Sequence, residues 1–380
     1  MTRRIPAHPP VVLFAANSPW NLLNFRGPII AGLKEQGFRI AAAVPDDNAV
    51  ALLRKIGVEV EFVEIDARGV SPLNDIRLLL NYYEIVRRVS PAVFLPFTAK
   101  PNIYGSIAAR ACGVPVVNTI TGLGTGYLSG RILQSTISLL YRAGLRRSQR
   151  VFFHNKDDRD LFLSRGILRH DQAAVVAGSG VDLSYFCPTR RQKASQPPIF
   201  LFVGRLLRDK GAGEFLEAAA IVKRERSARF RMLGGIENHP KAISGQLLEA
   251  SARNGIVELL GTTDDVRHFI ADADCVVLPS YREGLPRALL EASAMGVPVI
   301  ATDVPGCRQA VDDGITGLLC KPQSASSLAE AIMTIAKMPE KERDAMGRRG
   351  RAKAERDFGH GPVVEAYLQA IRDAIPHRPE

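Results

Sequence analysis

Short apolar runs alternate with longer amphipathic stretches along almost the whole chain. In the first half the runs fall at 11–16, 38–44, 58–65, 93–96, 114–118 and 151–154, and read as strands. Helical periodicity fills 28–36, which Gly37 ends, and 49–56, whereas 17–24 reads as a polar, turn-rich loop. The second half repeats the pattern, with strands at 199–203, 229–233, 256–259, 275–278 and 298–301. Helices are expected there at 213–226, 242–254, 264–271, 287–295 and 325–337. Nearly continuous apolar strands separated by helices imply an α/β protein of parallel strands with crossover helices. Residues 186–198 are polar, rich in proline and without a period, so they read as a linker between domains at 1–185 and 199–358. A short amphipathic helix at 361–371 falls within a terminal segment, 359–380. Ligands of such sheets gather at the carboxyl ends of the strands, which places the expected site in the cleft between two facing sheets.

Composition agrees with two folded cores: 380 residues, 46% hydrophobic and 23% charged. The net charge of +11 favours anionic partners without separating nucleic acid, nucleotide sugar and anionic membrane. The basic residues read as spread over the chain, with no zinc finger or aromatic–basic series, so nucleic-acid binding has no positive motif. Five cysteines, widely spaced and mostly in apolar segments, suit a reduced, cytoplasmic protein. The run 11–16 is too short for a signal-peptide core, and no apolar stretch approaches the ~18 residues of a spanning helix. Membrane contact would then be peripheral. Residues 76–88 and 139–150 combine apolar surface with arginine, which suits anionic lipid and equally suits crossover helices packed on a sheet.

Two segments carry the candidate chemistry. Val203-Gly204-Arg205-Leu-Leu-Arg208-Asp209-Lys210-Gly211 joins an expected strand to an expected helix. Gly204 allows a turn close to a ligand, and Arg205 and Lys210 offer positive charge to a diphosphate. The same residues also suit a solvated basic loop. The glycine spacing is that of neither a dinucleotide fingerprint nor a Walker loop. The second segment runs from Pro279 to Glu291 and includes Glu283, Gly284, Leu285 and Pro286. If helical, Glu283 and Glu291 would stand about 12 Å apart, too far to chelate one atom and better placed for opposite ends of a long polar ligand. Carboxylates accept from vicinal hydroxyls, and Gly284 leaves backbone amides open at the helix start. The alternative makes Glu283 a helix-terminal charge and Glu291 a solvated helix residue.

These two segments, with Gly296-Val-Pro-Val-Ile-Ala-Thr302 and Gly314-Ile-Thr-Gly317, resemble the family 4 glycosyltransferases, over essentially the whole chain. The resemblance implies the GT-B fold of two facing Rossmann-like domains and a retaining reaction. It implies that Arg205 and Lys210 hold the donor diphosphate, that Glu283 contacts the transferred sugar and that Glu291 contacts the ribose. The base would lie near Leu260 and Gly261, the terminal helix within 359–380 would cross back to the first domain, and no metal or other cofactor is implied.

On the acceptor side, Asn17, Trp20, Asn24 and Arg26 follow the first strand, Thr121 and Gly122 open a glycine-rich loop that continues through Gly124 and Gly126, and His154 ends a strand. Each also has a packing or turn explanation. Many members of the family carry a histidine where this chain has Thr121, so the resemblance assigns no side-chain base. Leu22-Leu-Asn24-Phe-Arg26, the Thr121 loop and His154-Asn155-Lys-Asp157-Asp158 are similar to a subgroup that adds N-acetylhexosamines to polyprenyl-diphosphate-linked saccharides in bacterial surface-glycan assembly. That implies a UDP-linked donor and a membrane-bound acceptor. A non-catalytic nucleotide-sugar-binding protein, and a phosphorylase or epimerase of the same fold, are the alternatives. Asp272-Ala-Asp274 spells a metal pair of another glycosyltransferase fold but reads as a packed boundary, and Asp264-Asp265 reads as a helix cap.

Overall fold

The computed structural model describes residues 9–66, 69, 71–123, 131–189, 197–236 and 239–375. The chain divides into two compact units, Met1–Ser179 with Gly361–Glu380, and Gly180–His360.

The first unit begins β1 (Val11–Ala15), α1 (Pro19–Glu35), β2 (Arg39–Val44), α2 (Val50–Lys55), β3 (Glu59–Phe62), α3 (Pro72–Val89) and β4 (Val93–Pro96). A π-helical turn, Pro101–Gly105, leads into α4 (Ser106–Ala111), β5 (Val117–Ile120), α5 (Arg131–Leu145), β6 (Arg150–Phe153), α6 (Lys156–Ser164) and β7 (Ala173–Val175). Two parallel sheets, ordered β3-β2-β1-β4 and β5-β6-β7, are linked by single bridges from Phe94 to Val116 and from Phe97 to Thr119. Strand β1 sends Val12 and Phe14 into one core and Leu13 and Ala15 into another. Burial on both faces is why such strands are apolar throughout instead of alternating.

Residues 17–24 are not a loop. Helix α1 starts at Pro19, with Ser18 accepting from the Asn21 amide at 3.2 Å and proline in the first turn. Pro28, which marks a helix start by sequence, lies inside this helix. Its missing amide hydrogen weakens the helix, and burial of Leu22, Ile29, Ile30 and Leu33 outweighs that loss.

The second unit contains β8 (Ile199–Val203), α7 (Ala212–Glu225), β9 (Arg229–Leu233), α8 (Gly245–Arg253), β10 (Glu258–Leu259), α9 (Arg267–Asp272) and β11 (Cys275–Leu278). It continues with α10 (Arg287–Ala294), β12 (Val299–Thr302), α11 (Cys307–Ala310), β13 (Gly317–Cys320), α12 (Ala325–Lys337) and α13 (Glu340–Asp357). Its parallel sheet runs β10-β9-β8-β11-β12-β13. Helix α14 (His360–Ala374) then returns to the first unit. There Tyr367 is buried against Phe152 and Phe97, with ring centroids 4.7 and 6.2 Å away, and its hydroxyl lies 2.7 Å from that of Thr119.

Candidate active site

In both units the first and fourth strands are neighbours, and their connections leave in opposite directions along the sheet. The loops at the carboxyl ends of those two strands therefore part, which is where α/β sheets bind ligands. In the second unit the loops are 204–211, after β8, and 279–286, after β11. Leu206 and Leu207 anchor the first loop in the core, which leaves Arg205 exposed and Lys210 half-buried. A single 3-10 turn, Arg208–Lys210, ends at Gly211 with φ 73°. A Cβ on Gly211 would stand 2.0 Å from the Pro279 carbonyl oxygen, so only glycine lets the loops approach this closely.

That approach assembles a polar cluster. The Tyr281 amide donates to the Asp209 carbonyl at 2.9 Å. Lys210 Nζ lies 2.5 Å from Glu283 Oε1, which also accepts from the Ser280 hydroxyl at 2.6 Å. Lys241 pairs with Asp209 at 2.6 Å, and the Tyr281 hydroxyl donates to Glu214 at 2.5 Å. The backbone behind Glu283 is equally close-packed: a Cβ on Gly306 (φ 81°) would meet the Gly284 carbonyl oxygen at 2.3 Å.

Pro286 is the N-cap of α10, and Leu285 before it is buried. Glu291 sits one turn into this helix, only 8% exposed, 2.9 Å from Arg287. Burial raises its carboxyl pKa, and the Arg287 charge opposes that shift only in part. The reading of Glu291 as a solvated helix residue does not hold. Leu260 and Gly261 prolong the β9–β10 edge: the Leu260 amide donates to the Met232 carbonyl at 2.9 Å, and Gly261 accepts from the Gly234 amide at 2.8 Å. The donor-side residues thus gather at the carboxyl edge of one sheet and in the helix that leaves it.

The acceptor-side residues occupy the corresponding edge of the first unit. Asn17 follows β1, Thr121 and Gly122 follow β5, and His154 follows β6. Gly124 and Gly126 lie outside the described residues. Trp20 and Asn24 are on the first turns of α1, where Asn24 donates to the Trp20 carbonyl at 3.0 Å. Trp20 is 55% exposed and meets Phe25 edge-on at 5.4 Å. Arg26, expected to be available for phosphate, is instead 1% exposed. Its guanidinium lies 4.3 Å over the Phe97 ring and donates to the Ser179 hydroxyl at 3.3 Å. Its position inside α1, facing the sheet, accounts for this burial. His154 is buried as well, and burial with the nearby Arg26 charge pushes its pKa well below the ordinary 6.5, so it is neutral. Asn155 caps α6 by accepting from the Asp158 amide at 2.8 Å, which gives the His154–Asp158 stretch a structural role.

The glycosyl transferase 4-like model matches residues 11–155, and the model for glycosyl transferases group 1 matches 188–353. A Rickettsia africae glycosyltransferase superposes with a TM-score of 0.79 at 19% identity, covering 97% of this chain and 100% of that one. The chain is a GT-B glycosyltransferase. Anabaena HepE, solved with UDP and glucose, shares the fold with a TM-score of 0.77 at 18% identity, over 95% of this glycosyltransferase and 99% of HepE. Among relatives, the Campylobacter jejuni N,N'-diacetylbacillosaminyl-diphospho-undecaprenol alpha-1,3-N-acetylgalactosaminyltransferase is 26% identical, covering 84% of this chain and 87% of its own. The Escherichia coli UDP-Gal:alpha-D-GlcNAc-diphosphoundecaprenol alpha-1,3-galactosyltransferase is 24% identical over 72% and 74%.

The aspartates of the glycosyltransferase that resemble a metal pair are engaged structurally. Asp274 accepts from the Ile199 amide at 2.8 Å and pairs with Arg343 at 3.3 Å, while Asp272 pairs with Arg231 at 2.5 Å. Among the described residues, no group of three or more His, Cys, Asp or Glu could hold a metal ion. Asp265 stands one residue before the N-cap of α9, accepts from the amide of its first residue, Arg267, at 3.0 Å, and also forks onto the Arg267 side chain. Sequence reasoning missed Ser280 and Arg287, the partners of the two glutamates. Both lie within the recognised 279–291 segment, but their pairing depends on the loop path. It also missed Thr98, which follows β4 at the first unit's strand divergence with φ 65° and a buried hydroxyl that has no hydrogen-bond partner among the described residues. Threonine carries no sequence signal for positive φ.

Proposed function

We propose that this glycosyltransferase moves an N-acetylhexosamine from a UDP-sugar, with retention, onto a polyprenyl-diphosphate-linked saccharide in bacterial surface-glycan assembly. The observation that carries the donor half is the close meeting of the 204–211 and 279–286 loops, where Lys210 reaches Glu283 at 2.5 Å. Arg205 and Lys210 bind the diphosphate and stabilise it as it leaves; Gly204 leaves room for the phosphates, and backbone amides from Gly284 to Pro286 border the same space. Proline has no amide hydrogen, so Gly284 and Leu285 are the donors there. Glu283 accepts from hydroxyls of the transferred sugar. Glu291 accepts from the ribose, and the backbone of Leu260 and Gly261 reads the base.

The bond from the anomeric carbon to the β-phosphate oxygen breaks, and the acceptor oxygen attacks from the same face. Its proton passes to the departing phosphate, so no side-chain base is required. The first unit takes the acceptor, with Asn17, Trp20, Asn24, Thr121 and Gly122 at the open edge, and with Arg26 and His154 shaping it from beneath. The Campylobacter relative named for an undecaprenyl-diphosphate acceptor supports this choice of substrate, as does HepE, solved with UDP, for the nucleotide.

A screen of UDP-hexoses and UDP-N-acetylhexosamines against short polyprenyl-diphosphate saccharides, read by mass spectrometry and anomeric NMR, tests the proposal. Transfer from a UDP-N-acetylhexosamine with retained configuration is the expected result. Inversion would sink the mechanism, and transfer only to free sugars would sink the acceptor assignment.

A further inference from the structure

Strand β8 lies between β9 and β11, so the 204–211 loop is flanked by the 279–286 loop on one side and by the connection that follows β9 on the other. Leu207 forms an antiparallel bridge with Ala242. The Arg208 amide donates to the Lys241 carbonyl at 2.8 Å, and the Ile243 amide donates to the Leu206 carbonyl at 3.1 Å. Leu206, Leu207 and Ile243 are buried, which fixes this short ladder from beneath. His239 shapes the turn before it: its Nδ1 accepts from the Lys241 amide at 2.9 Å, and its carbonyl accepts from the Ala242 amide at 2.8 Å. The backbone thereby brings Lys241 to Asp209, and the two side chains meet at 2.6 Å.

The acid at position 209 works against the chemistry of its own loop. It directly precedes Lys210, and a carboxylate among cations that face a diphosphate repels the ligand they attract. The backbone of Asp209 has a clear role, because its carbonyl accepts from the Tyr281 amide at 2.9 Å and from the Ser280 hydroxyl at 3.2 Å. Every residue supplies a carbonyl, so that role does not call for an acid. The negative charge reaches the neighbouring loop. Burial, then Glu214 and then Asp209 raise the pKa of the Tyr281 hydroxyl. Lys241 is the counter-charge. With side chains 43% and 25% exposed, the pair adds little to stability, so its effect falls on the charge that the loop presents.

We infer that Lys241 is a positioning residue for the donor diphosphate that acts through Asp209, cancelling its carboxylate so that the positive charge of Arg205 and Lys210 stands unopposed toward the phosphates. This role rests on the donor site proposed above and adds to it a residue from outside the 204–211 and 279–291 segments. The phosphates are not the partner of Lys241, because its ammonium is engaged by Asp209 and the ladder from Leu206 to Ile243 keeps it there. Without that ammonium, Asp209 would offset one of the cations that bind the nucleotide, and the penalty would weaken as salt screens it.

Calorimetric titration of UDP into the full chain and its variants, at low and high salt, provides the test. Lys241→Met should bind about tenfold more weakly than the parent, with the deficit shrinking as salt rises. Lys241→Arg, which keeps the charge, should recover most of the loss. Asp209→Asn should bind at least as tightly as the parent, and Asp209→Asn/Lys241→Met should return to the parental affinity although the ion pair is gone. Should Lys241→Met not fold, Asp209→Asn carries the test by itself. Unchanged binding by Lys241→Met would overturn the inference, as would weaker binding by Asp209→Asn. A double variant as weak as Lys241→Met would overturn it too, since Lys241 would then meet the phosphates directly or merely brace the loop. Those results leave the donor site standing, because the parent still binds UDP; a parent that does not bind UDP removes the donor site and the role of Lys241 together.

Discussion

Glu291 shows most clearly how one residue separates stability from binding. A carboxylate this buried is unfavourable in the fold, and its ion pair with Arg287 does not restore the pKa to its ordinary value of 4.5. Because the folded pKa is raised, the folded chain binds the proton more tightly than the unfolded chain does. The resulting cost is absent below 4.5 and develops as pH rises through the higher folded value. Glu291→Gln should therefore melt at a higher temperature than the parent at alkaline pH, with the gain vanishing in acid. The same change should weaken UDP binding about tenfold, since a charge-assisted bond to the ribose becomes a neutral one. A melting curve with pH and a titration with UDP check both halves. A variant that is less stable at alkaline pH, or that binds UDP unchanged, contradicts the assignment. Lys210 is a different case: already paired with Glu283, it is a cation held at the loop meeting point and not a freely solvated one.

At the scale of elements, the central strands were the most legible part of the sequence because burial on both faces makes strands such as β1, β8 and β11 apolar throughout. Helices were legible where their stripes are apolar, as in α7 and α12, and obscure where they are not. Helix α13, Glu340–Asp357, is so rich in charge that it showed no periodic signal, and Pro28 concealed the true start of α1 at Pro19. The move of Trp20 and Asn24 from a loop to a helix, and the placing of Arg26 within it, follow from that one boundary. Helix α14 was visible as an amphipathic pattern, and its return to the first unit was implied by the family resemblance and not by its own residues. Tyr367 fills the space between Phe97 and Phe152, so Tyr367→Ala should destabilise the first unit by about 3–5 kcal/mol. Tyr367→Phe should cost only about 1 kcal/mol, for the lost bond to Thr119. Chemical denaturation of the two variants measures the difference, and equal losses would mean that the packing of α14 contributes little.

For the whole molecule, each unit carries the strand order third-second-first-fourth and presents residues at the carboxyl edges of its strands. The sequence exposed the donor charges because Arg205, Lys210, Glu283 and Glu291 lie in two short segments with a strong family resemblance. It left the acceptor side open because those residues come from three separate stretches, after β1, β5 and β6, each with its own capping or packing role. The basic balance was visible from the start. Its concentration between Ile85 and Lys156 is a property of the sequence too, because no aspartate or glutamate interrupts that segment. What unites the donor reading is that the 204–211 loop holds a nucleoside diphosphate. Calorimetric titration of UDP into the parent and into Arg205→Ala/Lys210→Ala tests it most directly. Saturable binding at one site by the parent, weakened about a hundredfold in the double variant, is predicted. Equal affinity in the two proteins, or no UDP binding by the parent, would contradict it.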